Sequence, residues 1–274
     1  MNIKKEIILF RIFRDIKRIK IQGATNIAKA AIYAYSLFPD KSTLKRLVSL
    51  RPTEPMLQNV VKMLEKGKKK EDIMSHFSDS QEKINKQVFK IINNKDVILT
   101  HCHSTAVVRA LIYSKQHGKK FQVYNTETRP LYQGKQTAKE LSHVGIKVTT
   151  FVDSAVDLAL SGSQGFNKVN KVIIGSDAIL RNGDVINKVG SNMIADLAKF
   201  HRIKLYVVGD SWKFTRKNIL LEQRSYKEVW DNKVPRSIKI KNPSFEKVPS
   251  KNISFIISEL GILTPKEFVK KLKN

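Results

Sequence analysis

The stretch Val97-Ile98-Leu99-Thr100-His101-Cys102-His103-Ser104 runs from a short apolar segment into polar and nucleophilic side chains, and a helix-patterned stretch from Thr105 to Gln116 follows it. A continuous apolar run bounded in this way reads as a strand buried on both faces, with a helix packed back over it. Cys102, the single cysteine, therefore stands at the end of a strand and the mouth of a helix, where backbone N–H groups and the helix dipole favour a thiolate. Its alternative reading is a small buried hydrophobe, since free cysteine is among the most buried residue types. Either way, the pattern at 97–116 predicts a parallel α/β unit.

Reading outward from it, the same rhythm recurs. Phe121 to Asn125, Val148 to Val152, Val169 to Ile174, Leu205 to Val208 and Ile253 to Ile257 are short apolar runs separated by helical segments. Strands of this kind alternating with helices predict a Rossmann-like parallel sheet covered on both faces. Ligands of such sheets bind beyond the carboxyl ends of the strands. Cys102, Thr126-Glu127-Thr128-Arg129, Asp153-Ser154, Gly175-Ser176-Asp177 and Gly209-Asp210-Ser211 occupy those ends.

Before residue 94 the pattern is helical. Leu9, Ile12, Phe13, Ile16 and Ile19 repeat at helical spacing, as do Ala24, Ile27, Ala28, Ala31 and Tyr35. Arg51-Pro52-Thr53-Glu54-Pro55 interrupts it, because each proline biases its predecessor away from helix. Leu57, Val60, Val61 and Leu64 then form one apolar stripe, and Ile84, Val88, Ile91 and Ile92 another, with the charged stretch from Lys66 to Asp72 read as a solvated turn. The expectation is an α/β protein with a small helical domain at 1–93 and a Rossmann-like domain at 94–274.

The composition sets outer limits. With 274 residues, 41% of them hydrophobic, the chain can bury packed cores. No run approaches a membrane span, and Ile7-Ile8-Leu9-Phe10 is too short for a secretory h-region, so a cytoplasmic, reducing setting without an internal disulfide is expected. The formal charge of +27 admits nucleic acid, an anionic surface or phosphorylated metabolites as partners. The cations are spread over the whole chain, and neither zinc-finger spacing nor an RNA-recognition aromatic signature is present. Neither a Gly-x-Gly-x-x-Gly fingerprint after the first strand nor a Walker loop is found, which argues against a nicotinamide or nucleoside triphosphate site. Asn182-Gly183 followed by Asn187-Lys188-Val189-Gly190 reads as a tight turn and a helix start that could hold a phosphate, with Lys188 as its cation.

Taken in order, Thr100 to Ser104, Glu127-Thr128-Arg129-Pro130 with Gln133-Gly134, Val152-Asp153-Ser154-Ala155, Gly175-Ser176-Asp177, Val185 to Gly190 and Trp212-Lys213-Phe214 resemble the initiation factor 2B alpha/beta/delta family. Gln22-Gly23-Ala24 and Arg51-Pro52-Thr53 extend the resemblance into the helical half. That family also contains ribose 1,5-bisphosphate isomerase and methylthioribose 1-phosphate isomerase. The resemblance implies a helical domain followed by a Rossmann-like domain, assembled as a homodimer or hexamer. It implies Cys102 as the base and Asp177 as the acid of an aldose-ketose isomerisation that needs no metal or cofactor. Gln22, Gly23, Ala24 and Arg51 in the helical half, and Lys188 and Lys213 in the sheet half with Asn187 and Arg129 nearby, would hold the substrate phosphates. The ribose bisphosphate isomerases usually carry arginine where this chain has Gln22 and asparagine where it has His103, and Glu54-Pro55-Met56 also differs from their segment.

Three readings follow. One is an isomerase converting ribose 1,5-bisphosphate to ribulose 1,5-bisphosphate. Another is a translation-factor-like regulatory subunit that binds a sugar phosphate or nucleotide and a protein partner, such as a translation factor, without turnover. The last is an RNA-associated scaffold using the excess charge, which predicts steep salt dependence.

Overall fold

The computed structural model describes residues 3–18, 20–21 and 23–273. Gln22 and Ile19 lie outside the described residues. Five helices come first: α1 (Ile3–Lys17), α2 (Ala24–Leu37), α3 (Lys41–Leu50), α4 (Pro55–Glu65) and α5 (Lys70–Ile91). They are followed by β1 (Val97–Thr100), α6 (Thr105–Gln116), β2 (Gln122–Thr126), α7 (Gln133–His143), β3 (Lys147–Phe151), α8 (Val156–Ser161) and β4 (Lys171–Ile174). The chain continues through β5 (Ala178–Leu180), β6 (Val185–Lys188), α9 (Ser191–Phe200), β7 (Lys204–Val208), β8 (Phe214–Thr215), β9 (Phe245–Val248), β10 (Phe255–Ser258), β11 (Gly261–Leu263) and α10 (Pro265–Lys271).

The main sheet has the order β11-β10-β7-β4-β1-β2-β3, with every pairing parallel except β10 with β11. All six strands expected from the sequence are in it. Their side chains alternate between two cores, as the two-residue period of a strand demands. Leu99, Val172, Ile174, Leu205, Val207 and Ile256 face one core. Ile98, Ile173, Tyr206, Val208 and Ile257 face the other, with Val107 and Leu111 of α6. The central strands β1, β4, β7 and β10 are covered on both faces and are largely apolar, whereas β3, at the edge, is half-exposed and carries Thr149 and Thr150.

The strand order reverses between β1 and β4. From β1 the chain moves outward to β2 and β3, then returns to place β4 on the other side of β1 and continues to β7 and β10. Such a switch point leaves a crevice beyond the strand ends, where the connections diverge. Cys102 follows β1 and Asp177 follows β4. At this crevice Gly175 passes so close to the N-cap of α6 that an added Cβ would lie 2.6 Å from Ser104 Cβ and Oγ. Gly175→Ala should therefore cost about 1–3 kcal/mol by overpacking, measured as a lowered urea midpoint at unchanged slope.

Two local expectations are corrected. Lys70 to Asp72 do not belong to a turn: Gly67, at φ 77°, makes the turn, and α5 starts at Lys70 with Glu71 and Asp72 in its first turn, where acids complement the helix dipole. Asn187 and Lys188 end a strand rather than a loop. They lie in a second sheet, ordered β8-β5-β6-β9, in which β6 pairs antiparallel with both β5 and β9. The strand β9 starts at residue 245, beyond a long irregular stretch, and no local pattern marks it as a partner for β6.

The helical half has its own core of α1 to α4, including Ile16, Ile27, Leu47, Leu57 and Val60, which Ile73 and Phe77 of α5 join. Further along α5, Ile84 and Val88 belong instead to the core beneath the sheet. Between those two zones Ser80 Oγ donates to Asp210 Oδ2 at 2.6 Å, and His76 Nε2 lies 3.0 Å from the same carboxylate. His76 also stacks on Trp212, ring centroids 3.6 Å apart, and Asn59 Nδ2 donates to the Trp212 carbonyl at 2.8 Å. Helices α4 and α5 thus fix the turn that carries Lys213. Burial alone would raise the Asp210 carboxyl, but the bonds from His76, Ser80 and the Trp212 backbone outweigh it and hold the group below its usual range.

Candidate active site

The crevice is a cavity of about 580 Å³ between the two halves. Gly23, Ala24 and Arg51 line it from the helical side, and Cys102, Asp177, Asn187, Lys188 and Lys213 from the sheet side. Gly23, at φ 83°, is the N-cap of α2, a left-handed backbone conformation that glycine adopts without strain. It starts the 14-residue helix at the cavity wall, with Ala24, Thr25 and Asn26 among the lining residues, and a helix start favours an anion.

Cys102 itself has φ 64°, in the region that L residues seldom occupy. Two threonines hold it there. The Cys102 N–H donates to Thr128 Oγ1 at 3.0 Å, and Thr137 Oγ1 donates to the Cys102 carbonyl at 2.9 Å. Because the Thr137 hydroxyl proton is used in that bond, its oxygen accepts from His103 Nδ1 at 3.1 Å, which assigns the imidazole proton to Nδ1. His103 thereby braces the cysteine loop. Burial lowers its pKa, partly opposed by Glu140. His101 lies beneath the same loop. Its Nε2 must donate to the Val189 carbonyl at 2.8 Å, so Nδ1 accepts from Thr126 Oγ1 at 2.6 Å, and burial keeps the ring neutral.

The thiol is not the ready thiolate that its position after a strand and before a helix predicts. It keeps some accessible surface toward the cavity, but the protein shell around it pushes its pKa up to about 11, with Lys188 pulling the other way and Asp177 adding to the rise. The dipole argument fails because α6 starts at Thr105, three residues further on, and its first turn is capped by Ser104. With a pKa near 11, about one thiol in a thousand is ionised at pH 8. Iodoacetamide should accordingly modify this sole cysteine about a hundredfold more slowly than an ordinary thiol, with a rate climbing about tenfold per pH unit. Mass spectrometry of the intact protein reads this directly, and rapid labelling at pH 7 would show a stabilised thiolate instead.

Asp177 is also raised, mainly by burial, against the pull of Lys213, Lys188 and Arg51. The three cations are themselves buried. Lys213 donates from Nζ to the Ser176 carbonyl. Lys188 Nζ sits 3.4 Å from Ser244 Oγ and 5.0 Å from the centre of the Phe245 ring. Asn187 Nδ2 donates to Ser191 Oγ at 2.9 Å, and that hydroxyl donates to the Lys188 carbonyl at 2.6 Å, so the end of β6 is rigid.

Arg129 is not brought to this cavity. Asp153 accepts the backbone N–H groups of Thr128 and Arg129 at 2.9 and 2.7 Å, which turns the exposed guanidinium to Tyr132 Oη at 2.6 Å and to a smaller cavity of about 240 Å³ behind the cysteine loop. Gln133 and Glu54 do reach the main cavity, although they were not singled out from the sequence as ligand-holding residues. Gln133 stands in a quoted motif, and only the buried carbonyl oxygen of its side chain, unpartnered among the described residues, marks it out. His76, Asp210 and Glu259 place ligand atoms within 4.8 Å of one another, but their geometry serves the clasp between the halves: Ser80 and His76 bond to Asp210, and the Ser211 N–H donates to Glu259 Oε2 at 3.1 Å.

A sequence model of the Initiation factor 2 subunit family matches residues 41–265. The chain belongs to that family. It is 34% identical to ribose 1,5-bisphosphate isomerase of Methanocaldococcus jannaschii, over 92% of this chain and 90% of that protein. It is 31% identical to 5-deoxyribose 1-phosphate isomerase of Clostridium botulinum, over 95% of this chain and 88% of that protein. Among solved structures, the translation initiation factor eIF-2B of Pyrococcus horikoshii OT3 superposes with a TM-score of 0.82 at 26% identity, covering 95% of this chain and 98% of the other. Family membership places the helical half followed by the Rossmann-like half in a known architecture, and among the described residues no helix is long and apolar enough to cross a membrane.

Proposed function

We propose that this member of the family is a sugar-phosphate aldose-ketose isomerase, and that its substrate is ribose 1,5-bisphosphate, giving ribulose 1,5-bisphosphate. The observation that carries the reading is the meeting of Cys102 and Asp177 in one cavity flanked by buried cations from both halves, Arg51 on one side and Lys188 and Lys213 on the other. Relatives named ribose 1,5-bisphosphate isomerase, similar over nearly the whole chain, support it. Cations on two walls suit a ligand with phosphates at both ends, and arginine's planar fork suits a phosphate's oxygens.

The proton bookkeeping closes with these two groups. Protonated Asp177 gives its proton to the ring oxygen as the bond from that oxygen to C1 breaks, and the Cys102 thiolate takes the C2 proton, leaving an enol phosphate. The 2-hydroxyl then returns a proton to the Asp177 carboxylate, while the Cys102 thiol delivers its proton to C1. The product is a 2-ketose still carrying its 1-phosphate, and both groups are restored. The competent form has a proton on Asp177 and none on Cys102. Burial favours the first and opposes the second, and Lys188 is the cation that favours the thiolate.

The same reading carries a homo-oligomer, dimer or hexamer, supported by the exposure of Val152, Met193 and Phe200, and sedimentation would measure it. The deciding experiment is turnover of alpha-ribose 1,5-bisphosphate by the purified chain, with ribose 1-phosphate and 5-deoxyribose 1-phosphate alongside. Ketose formation from the bisphosphate establishes the reading. Preference for a monophosphate keeps the reaction and changes the substrate. Tight binding of sugar phosphates without turnover would replace it with a regulatory, translation-factor-like subunit.

A further inference from the structure

Arg51 and Glu54 form a buried ion pair at the cavity wall, with Arg51 Nη2 donating to Glu54 Oε1 at 3.2 Å. Their spacing follows from the local sequence: Arg51 caps the end of α3, Pro55 starts α4, and the tight connection between the helices folds one side chain against the other. A second carboxylate, Glu222 from the long irregular stretch before β9, stands 3.8 Å from the same guanidinium nitrogen. Arg51 Nε and Glu54 Oε2 remain without a hydrogen-bond partner among the described residues, although both residues are more than nine-tenths buried and both line the cavity. A buried donor and a buried acceptor left unused side by side cost stability, and their common outlet is the cavity.

We propose that Glu54 is a proton-linked gate on Arg51. Ionised, it holds the guanidinium against itself; protonated, it releases Arg51 to an anion and its own O–H completes the anion's hydrogen bonding. The ligand class is a tetrahedral oxyanion, and above neutrality one proton is taken up as it binds. On the reading of the cavity as a sugar-phosphate site, on which this inference rests, the anion is the substrate phosphate at the helical end.

The surroundings of Glu54 support the proton linkage. Burial pushes its carboxyl up to about 7; Asp177, from the turn after β4, pushes it the same way, while Arg51 from the end of α3 and Lys213 from the turn after β7 pull it down. Glu222 acts on it through Arg51, and the start of α2, which also faces the cavity, brings Gly23 and Ala24 without a charge. The carboxyl is thus neutral below pH 7 and charged above it. Anion affinity should be full on the acid side and fall as pH rises through about 7.

Sulfate is the right probe, because its own charge is constant from pH 6 to 9. Titration calorimetry of the full chain should show sulfate binding that weakens about tenfold per pH unit above neutrality, with one proton taken up, as buffers of different ionisation enthalpy report. Glu54→Gln should bind sulfate about equally across that range and more tightly than the wild type at pH 8.5. Arg51→Met should lose the pH-dependent part. Sulfate binding that is flat with pH in the wild type, absent at every pH, or still pH-dependent in Glu54→Gln overturns the gate, as does loss of the dependence in Asp177→Asn alone. Turnover of the bisphosphate together with flat sulfate binding rejects the gate and keeps the isomerase. A pH-linked sulfate site in a chain that turns over no sugar phosphate rejects the isomerase and keeps the gate.

Discussion

Cys102→Ser is expected to fold, to bind sugar phosphate with little change, and to lose turnover by about 10²–10⁴-fold. Serine keeps the size of the side chain and can adopt the same φ of 64°, held by the same bonds from Thr128 and Thr137, so the loop has no reason to move. What it lacks is an ionisable group within reach of neutral pH: even at a pKa of about 11, the thiol yields a thiolate that Lys188 can support, and a hydroxyl does not. The wild type should gain activity with rising pH only while Asp177 keeps its proton and level off once it ionises, because the competent form needs that proton and the thiolate together, and the serine variant should show no such rise. Steady-state kinetics from pH 6 to 9, beside calorimetric binding, separates these effects. Activity within tenfold of the wild type would remove Cys102 from the role of base.

The second large effect is expected at Asp177. Replacing it by asparagine removes the proton donor at the ring oxygen, again about 10²–10⁴-fold in kcat. Its pH signature is separate from any damage to the fold. Because the folded protein raises this carboxyl, its contribution to stability is full below the unfolded value near 4 and is lost as pH rises through the folded value. Asp177→Asn escapes that loss. The variant should melt above the wild type at pH 8, with the difference closing as pH falls to 4, while remaining nearly inactive throughout. A variant that is both less stable at pH 8 and active would show that Asp177 serves as a carboxylate in the native site.

The parallel sheet was legible because its central strands β1, β4, β7 and β10 are buried and largely apolar, and the strand ends then pointed at Cys102 and Asp177. The four-stranded sheet was not. Its strands β5, β6, β8 and β9 are two to four residues long, and β9 comes from a distant segment whose register with β6 is set by tertiary pairing. The charges of the site were harder still. The thiol's position after a strand spoke for a low pKa, and only the three-dimensional shell around it reverses that sign. Glu54 stands out in the sequence only as a departure within its segment, and that it closes on Arg51 depends on how α3 and α4 meet. The carboxylate of Asp153 turns Arg129 out of the cavity, and no spacing in the sequence reveals that bond.

Helix α5 runs for 22 residues, and its two ends serve different interiors: Ile73 and Phe77 the helical one, Ile84 and Val88 the one beneath the sheet. Ser80 and His76, at the changeover, are latched to Asp210. A continuous rod embedded at both ends makes a poor hinge. A cavity braced in this way is expected to select chiefly by charge and fit at its walls, with little closure of one half upon the other. For protein engineering this means that neither half can be transplanted without its share of α5, and that exchanging substrates is a matter of rewriting a few wall residues while leaving the rod intact.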